Sequence, residues 1–175
     1  MAITEPVHAA LSLSLRERFS RGWVAATVIL LGLMAGCLFA GDASAGNGKS
    51  AINTIGSKGV AIRGYDPVAY FRAGGPVKGK AQYALEHSGA TWHFSSAENR
   101  ALFAADPDKY TPAYGGYCAY GVAKGGLYKI EPDAWSIRNG RLYLNFDRSV
   151  QAKWSKAPDK YVVTADRKWP GLVAK

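Results

Sequence analysis

The first strong contrast along the chain lies near its start. Residues 23–40 carry no charge, Arg16, Arg18 and Arg21 stand before them, and Ala43-Ser44-Ala45 follows. A basic flank, an apolar run and a small-x-small site read as a secretory signal over residues 1–45, an apolar leader helix. The run exceeds the usual apolar region of roughly 7–15 residues and reaches the short edge of the roughly 17–25 that span a bilayer, so a retained anchor is the alternative. Met34-Ala35-Gly36-Cys37 adds a third reading, lipidation at Cys37. Each of the three exports the rest of the chain to the periplasm or beyond and gives it membrane contact through this segment only.

Residues 46–58 are rich in Gly, Ser, Asn and Lys and read as a flexible tether, with the domain running over 59–172. No internal repeat or low-complexity tract is recognised. Val60 to Ile62 predicts a short strand, and Gly64-Tyr65-Asp66-Pro67 a turn. Tyr83 to His87 and Thr91 to Phe94 predict a hairpin with Tyr83, Leu85, Trp92 and Phe94 on one core face. Ser95-Ser96-Ala97-Glu98 resembles a capping box, starting a helix near Ser96 that ends before Asp106-Pro107. Tyr117 to Ala123 predicts a helical turn or two, stopped by Gly125-Gly126. In Trp135-Ser-Ile137-Arg-Asn139-Gly140-Arg-Leu142-Tyr-Leu144, the Asn-Gly pair predicts a type I′ hairpin pairing Arg138 with Arg141, Ile137 with Leu142 and Trp135 with Leu144. Residues 147–155 and 158–168 predict two helices, the second stopped by Trp169-Pro170. Strands, helix, hairpin and helices in this order predict a small single α+β domain rather than βαβ units.

Composition narrows the classes. At 175 residues, 48% hydrophobic and 20% charged, the chain is neither disordered, collagen-like nor multi-span. The net charge of +9 is spread singly, with no run beyond Arg167-Lys168, which argues against nucleic acid and for solubility or anionic lipid headgroups. Two cysteines build neither a disulfide framework nor a four-cysteine zinc site, and loss of the leader leaves Cys118 alone.

There is no G-x-S-x-G elbow, and nothing in the spacing demands a Cys–His dyad. Asp106, Asp108, Glu131 and Asp133 fall in polar, loop-like stretches and read as solvated charge. His87 and His93 sit on the two arms of one hairpin. With Cys118 they would supply three ligands, an open count suited to copper or zinc. Cys118 itself sits between glycines at a helix start, where the helix dipole would favour thiolate. The alternative is a small buried hydrophobe walled by tyrosines.

Gly64-Tyr65-Asp66-Pro67-Val68-Ala69-Tyr70-Phe71, Trp92 to Arg100, and Tyr114-Gly115-Gly116-Tyr117-Cys118-Ala119-Tyr120-Gly121 together resemble the exported YHS-domain proteins, over about residues 60–170. The resemblance implies a treble-clef-like core and a metal-binding module whose ligands are cysteines. Three of those thiols are absent: Ala69 follows Asp66-Pro67-Val68, and Phe94-Ser95-Ser96-Ala97-Glu98-Asn99 replaces the generic paired-cysteine stretch. Some families of this type are described as selenoproteins, with selenocysteine where this chain has Cys118, which focuses attention on that thiol. The leading expectation is soft-metal binding, copper first, through Cys118 with His87 or His93, in a protein that is not an enzyme. The second is a single-cysteine thiol-redox protein. The third is a non-catalytic binding module whose pocket is formed by Tyr65, Tyr110, Tyr114, Tyr117 and Tyr120.

Overall fold

The computed structural model of the protein describes residues 50–174. The apolar leader, the Cys37 site and the start of the tether lie outside the described residues. Among these, no helix is long and apolar enough to cross a membrane.

One order of elements occurs twice. The first half starts with a 3-10 turn, Ala61–Gly64, and a one-turn helix, α1 (Ala69–Arg72). The antiparallel hairpin β1 (Lys80–His87) and β2 (Ala90–Phe94) comes next, then α2 (Ala97–Ala105) and α3 (Pro107–Tyr110). The second half runs through a 3-10 turn, Ala113–Gly116, then α4 (Ala119–Lys124), β3 (Glu131–Arg138), β4 (Arg141–Asn145), α5 (Arg148–Ser155) and α6 (Pro158–Val173). The result is a small α+β domain of two separate two-stranded sheets and short helices.

The match extends to single residues. Ile62, Arg63 and Gly64 are all left-handed, and so are Tyr114, Gly115 and Gly116. Both hairpins turn on two positive-φ residues, Ser88-Gly89 and Asn139-Gly140, as the right-handed strand twist requires of a two-residue loop. Leu85 pairs with Trp92 as Ser136 pairs with Tyr143, and each register slips at the same place, between Lys80 and Ala84 or between Glu131 and Trp135. Pro107-Asp108-Lys109-Tyr110 opens α3 and Pro158-Asp159-Lys160-Tyr161 opens α6. The expectation of no internal repeat is therefore overturned. Apart from that tetrapeptide and scattered identities such as Gly64 with Gly116 and Tyr65 with Tyr117, the halves keep backbone conformation rather than residue type, and conformation does not announce a repeat in the sequence.

Each half contributes to a buried cluster. Tyr70, Trp92, Phe94 and Phe103 build one, joined by Leu142 and Leu144 from β4, and Tyr114, Tyr117, Tyr143 and Trp154 build the other with Val122 and Ala165. The register of β3 and β4 is as the sequence predicts, Trp135–Leu144, Ile137–Leu142 and Arg138–Arg141. Leu142 and Leu144 are fully buried while Ile137, toward the hairpin tip, stays exposed.

Val60 to Ile62, expected as a strand, makes only an isolated bridge from Val60 to Thr91 and then turns left-handed at Ile62, which lets it enter the 3-10 turn. Three further expectations change. The stretch 50–58, expected as tether, belongs to the domain: Ile52 and Asn53 are buried. Asn53 N–H donates to Gly115 O and its Nδ2 to Gly116 O, both at 2.9 Å, while its carbonyl accepts from Ile62 N–H at 2.9 Å. One side chain and its backbone thus tie the two 3-10 turns together. The approach needs glycine, since a Cβ on Gly115 would lie 1.8 Å from Ala51 O and one on Gly116 2.3 Å from Ile62 Cγ2. Second, α2 is capped by Ser96, not Ser95: Ser96 Oγ accepts from Asn99 N–H at 3.1 Å, and Glu98 pairs with Arg72 on the surface. Third, α6 continues through Pro170 to Val173. A proline this near the end removes one backbone hydrogen bond without preventing the last turn, which closes from Ala174 N–H to Pro170 O.

Ser95 is free of the capping role because it serves Asp66. That carboxylate is fully buried and accepts five hydrogen bonds: Oδ1 from the N–H groups of Val68 (2.8 Å) and Ala69 (3.2 Å), Oδ2 from Ser95 N–H (2.8 Å), Ser95 Oγ (2.6 Å) and Asn99 Nδ2 (2.7 Å). Burying a charge is costly unless such donors surround it. Once they do, the carboxylate welds the start of α1, the end of β2 and the first turn of α2. Replacing Asp66 by Ala orphans buried donors on all three. We expect a loss of about 3 kcal/mol or more in urea unfolding at neutral pH, and a loss below about 1 kcal/mol would contradict this role.

Candidate functional site: a cysteine in the place of a carboxylate

Cys118 holds the Asp66 position in the second half. Its N–H donates to Tyr128 O at 3.3 Å, as Asp66 N–H donates to Val77 O at 2.9 Å. Its Sγ accepts from Gly121 N–H at 3.3 Å, as Asp66 Oδ1 accepts from Ala69 N–H at 3.2 Å. The backbone of Phe146, counterpart of Ser95, favours the charged form of the sulfur. The sulfur caps α4, but the polar groups that complete the Asp66 hub are missing. Phe146 stands for Ser95, and Val150 for Asn99.

These losses leave room. A cavity of about 290 Å³ opens beside the sulfur, lined by Cys118, Tyr120, Gly121, Lys124, Tyr128, Phe146 and Val150. The Tyr128 ring forms a wall because Gly121 and Gly126 let it lie flat on the backbone. A Cβ on either would come within 2.5 Å of the ring. Half of Tyr128 remains exposed, so this wall borders solvent. Two ammonium groups stand over the aromatic lining, Lys124 Nζ 5.2 Å from the Tyr120 ring and Lys129 Nζ 5.2 Å from the Phe146 ring. Beneath lies Asn145, fully buried, whose Oδ1 is 3.9 Å from Cys118 Sγ and accepts from Tyr120 N–H at 3.3 Å, while its Nδ2 has no partner.

The thiol is not poised as expected. Burial pushes it up, the N–H groups of Gly121, Phe146 and Tyr120 pull it down less strongly, and Asp147 adds a small upward push. Desolvation outweighs the dipole of a helix only 6 residues long. The thiolate predicted from the helix start is not the resting form.

Nor are the three metal candidates brought together. His87 closes β1 with its ring edge-on to Phe103, centroids 5.5 Å apart, and His93 on β2 turns Nδ1 toward Gly64. Neither lines the Cys118 cavity. Among the described residues, no group of three or more His, Cys, Asp and Glu is placed to hold a metal ion. One soft sulfur among phenol, phenyl, alkyl and ammonium groups is a poor donor set, so the residues do not fit the expected ion. The five tyrosines scatter as well. Tyr120 lines the cavity, Tyr110 joins the first cluster, Tyr114 and Tyr117 the second, and Tyr65 lies under Lys78 Nζ at 4.6 Å. Tyr128, Phe146, Lys124, Val150 and Asn145 escaped the sequence reading. The repeat was the signal that would have found Phe146 and Val150, because it sets them against Ser95 and Asn99 of the Asp66 hub, and Tyr128, whose carbonyl stands where that of Val77 does.

Two hairpins, short helices and a buried acidic hub thus define a small α+β domain with an anion-holding loop in its first half. Residues 68–114 match the family model described as the YHS domain. The matched span ends four residues short of Cys118, so the cavity lies in the half beyond it. No curated protein and no solved structure matches the chain.

Alkaline pH probes the second cluster and the cysteine together. Tyr114 OH donates to Asp166 Oδ1 at 2.9 Å, and burial first, then this bond, raise its ionisation well above the ordinary tyrosine value. A raised group contributes stability that is complete below its unfolded pKa and is lost as pH climbs toward the folded one. Stability should hold to pH 8, then fall from about pH 8.5 as unfolded thiol ionises and faster beyond about pH 10 as tyrosine follows. Tyr114→Phe should flatten the upper limb in urea titrations. An unchanged limb in that variant would contradict the assignment.

Proposed function

We propose that the protein is a non-catalytic binding module that receives a small, largely apolar molecule carrying a negative charge in the cavity beside Cys118. The observation that carries this reading is the unfilled volume where the second half lacks the polar plugs of the first. Where Ser95 and Asn99 plug the Asp66 hub, Phe146 and Val150 leave about 290 Å³ with aromatic walls, near the small end of the roughly 300–1,000 Å³ usual for ligand sites. Lys124 and Lys129 supply the charge preference. Soft-metal binding through Cys118, which the family resemblance implies, has only one donor of the right kind here. The arginine-flanked apolar leader supports export, and N-terminal sequencing of the processed chain tests it.

A ladder of probes of one size tests the ligand class. Benzoate should raise the thermal midpoint more than benzyl alcohol, and benzylamine least, since a ligand that binds only the folded state stabilises it by mass action. Val150→Trp, which fills the cavity, should abolish the benzoate shift while keeping the fold. A full benzoate shift in Val150→Trp, or no shift with any probe, would overturn the reading. Copper and zinc contents of wild type and Cys118→Ser should be equal after dialysis, and a stoichiometric ion lost with the sulfur would restore the metal reading.

A further inference from the structure

We propose that the loop from Lys124 to Lys129, together with Lys168, docks the domain on an anionic lipid bilayer, so that the folded domain itself makes membrane contact. The loop reads Lys124-Gly125-Gly126-Leu127-Tyr128-Lys129 and joins α4 to β3. Lys124, Gly125 and Lys129 are exposed, Tyr128 is 50% exposed, and Leu127 is partly buried. Lys168 Nζ comes to the same loop from α6, donating to Ala123 O at 3.0 Å, and a Cβ on Gly125 would lie 3.7 Å from it. An exposed aromatic tip thus stands among three ammonium groups. The ion pairs among the described residues engage Arg63, Arg72 and Arg138, and none engages these lysines. Asp147, next to Phe146 of the cavity lining, keeps its carboxylate on Val150 N–H (2.8 Å) and Ser149 Oγ (2.7 Å).

Charge complementarity selects the partner. Lysine lays its alkyl stem on apolar surface and keeps its ammonium in water. Lys124 Nζ stands 5.2 Å from the Tyr120 ring and 5.8 Å from the Tyr161 ring, and Lys129 Nζ stands 5.2 Å from the Phe146 ring. Tyrosine settles at the level of lipid headgroups, with its ring toward the hydrocarbon and its hydroxyl in water. Each lysine held near an anionic leaflet favours docking about fivefold. The first half lacks this arrangement. There the equivalent stretch is Gly74-Gly75-Pro76-Val77-Lys78, a smaller Val77 takes the tyrosine position, and Lys78 Nζ is engaged by Arg63 O at 2.5 Å.

The length of chain before the domain agrees. Ser50 O accepts from Tyr117 OH at 2.9 Å, and the Tyr117 ring packs on Trp169, the neighbour of Lys168, with centroids 6.2 Å apart. The chain therefore enters the domain beside α6, which also carries Lys168. Ten peptide steps separate Ser50 from Ala40, the end of the apolar run, and they span at most about 35 Å. A bilayer that holds the run is thus within reach of the lysine-bearing face. Docking needs no occupant in the cavity, so it stands or falls apart from the ligand reading.

The test mixes the full chain with phosphatidylcholine vesicles, with or without phosphatidylglycerol, and follows amide hydrogen exchange by mass spectrometry. The apolar run enters either vesicle, so the readout is protection within residues 121–130 that depends on the anionic lipid. Those amides should exchange at least about tenfold more slowly on anionic than on neutral vesicles, and raised salt should remove the difference. Lys124→Gln with Lys129→Gln should return the loop to its rate on neutral vesicles. Lys80→Gln with Lys109→Gln removes the same charge from the first half and should leave the protection intact. Unchanged exchange in β1 and β2 shows in each sample that the fold is kept. Equal exchange on both vesicles, or protection that survives the loss of Lys124 and Lys129, would overturn the proposal. The same protection from dissolved polyphosphate would overturn it too, and would assign the face to a soluble polyanion.

Discussion

One buried negative charge organises the first half of this domain. Asp66 is sealed from water, and a carboxylate there is tolerable only while every lone pair finds a donor. That requirement fixes where α1 starts, because two of its N–H groups must face Oδ1. It fixes how β2 ends, because Ser95 gives both backbone and side chain to Oδ2. It also aligns α2, whose Asn99 must reach back. Trp92, Phe94 and Phe103 then pack on a frame whose angles are already set.

The second half keeps the frame and relaxes the requirement. With sulfur in place of the carboxylate, the site no longer demands a ring of donors, and apolar side chains can take the hydroxyl and amide positions. The consequence is a space near solvent, walled by Tyr128 and overlooked by lysines. The buried charge and the open cavity thereby fall in different copies of one motif. The Asn53 clasp, which holds both left-handed turns, joins the half with the charge to the half with the cavity.

Much of the fold was legible from local pattern. The Asn139-Gly140 pair set its hairpin register to the residue, and Gly125 ended α4 as a left-handed cap. Nonlocal relations were not legible. Nothing near Asp66 in sequence announces that Ser95 and Asn99 will satisfy it, and the serine pair at 95–96 looked like a cap with a spare residue. Asn53 looked like tether because two of its partners, Gly115 and Gly116, lie more than sixty residues away. At the site, Cys118 was visible as a lone thiol, but its environment was misjudged. Helix position suggests a thiolate, while burial, which depends on Phe146 and Tyr128, decides the matter the other way. Nor was it legible that Cys118, His87 and His93 would lie apart, since the two histidines belong to the first hairpin and neither lines the cavity.

Transplanting the first hub into the second half tests the account most directly. A triple variant, Cys118→Asp with Phe146→Ser and Val150→Asn, rebuilds the donor set of Asp66 at the Cys118 position. If the halves are equivalent frames, the urea midpoint of this chain should match or exceed that of the wild type, and benzoate should no longer shift its melting. A triple variant that unfolds, or that folds and still binds, would contradict the equivalence of the two halves and with it the site.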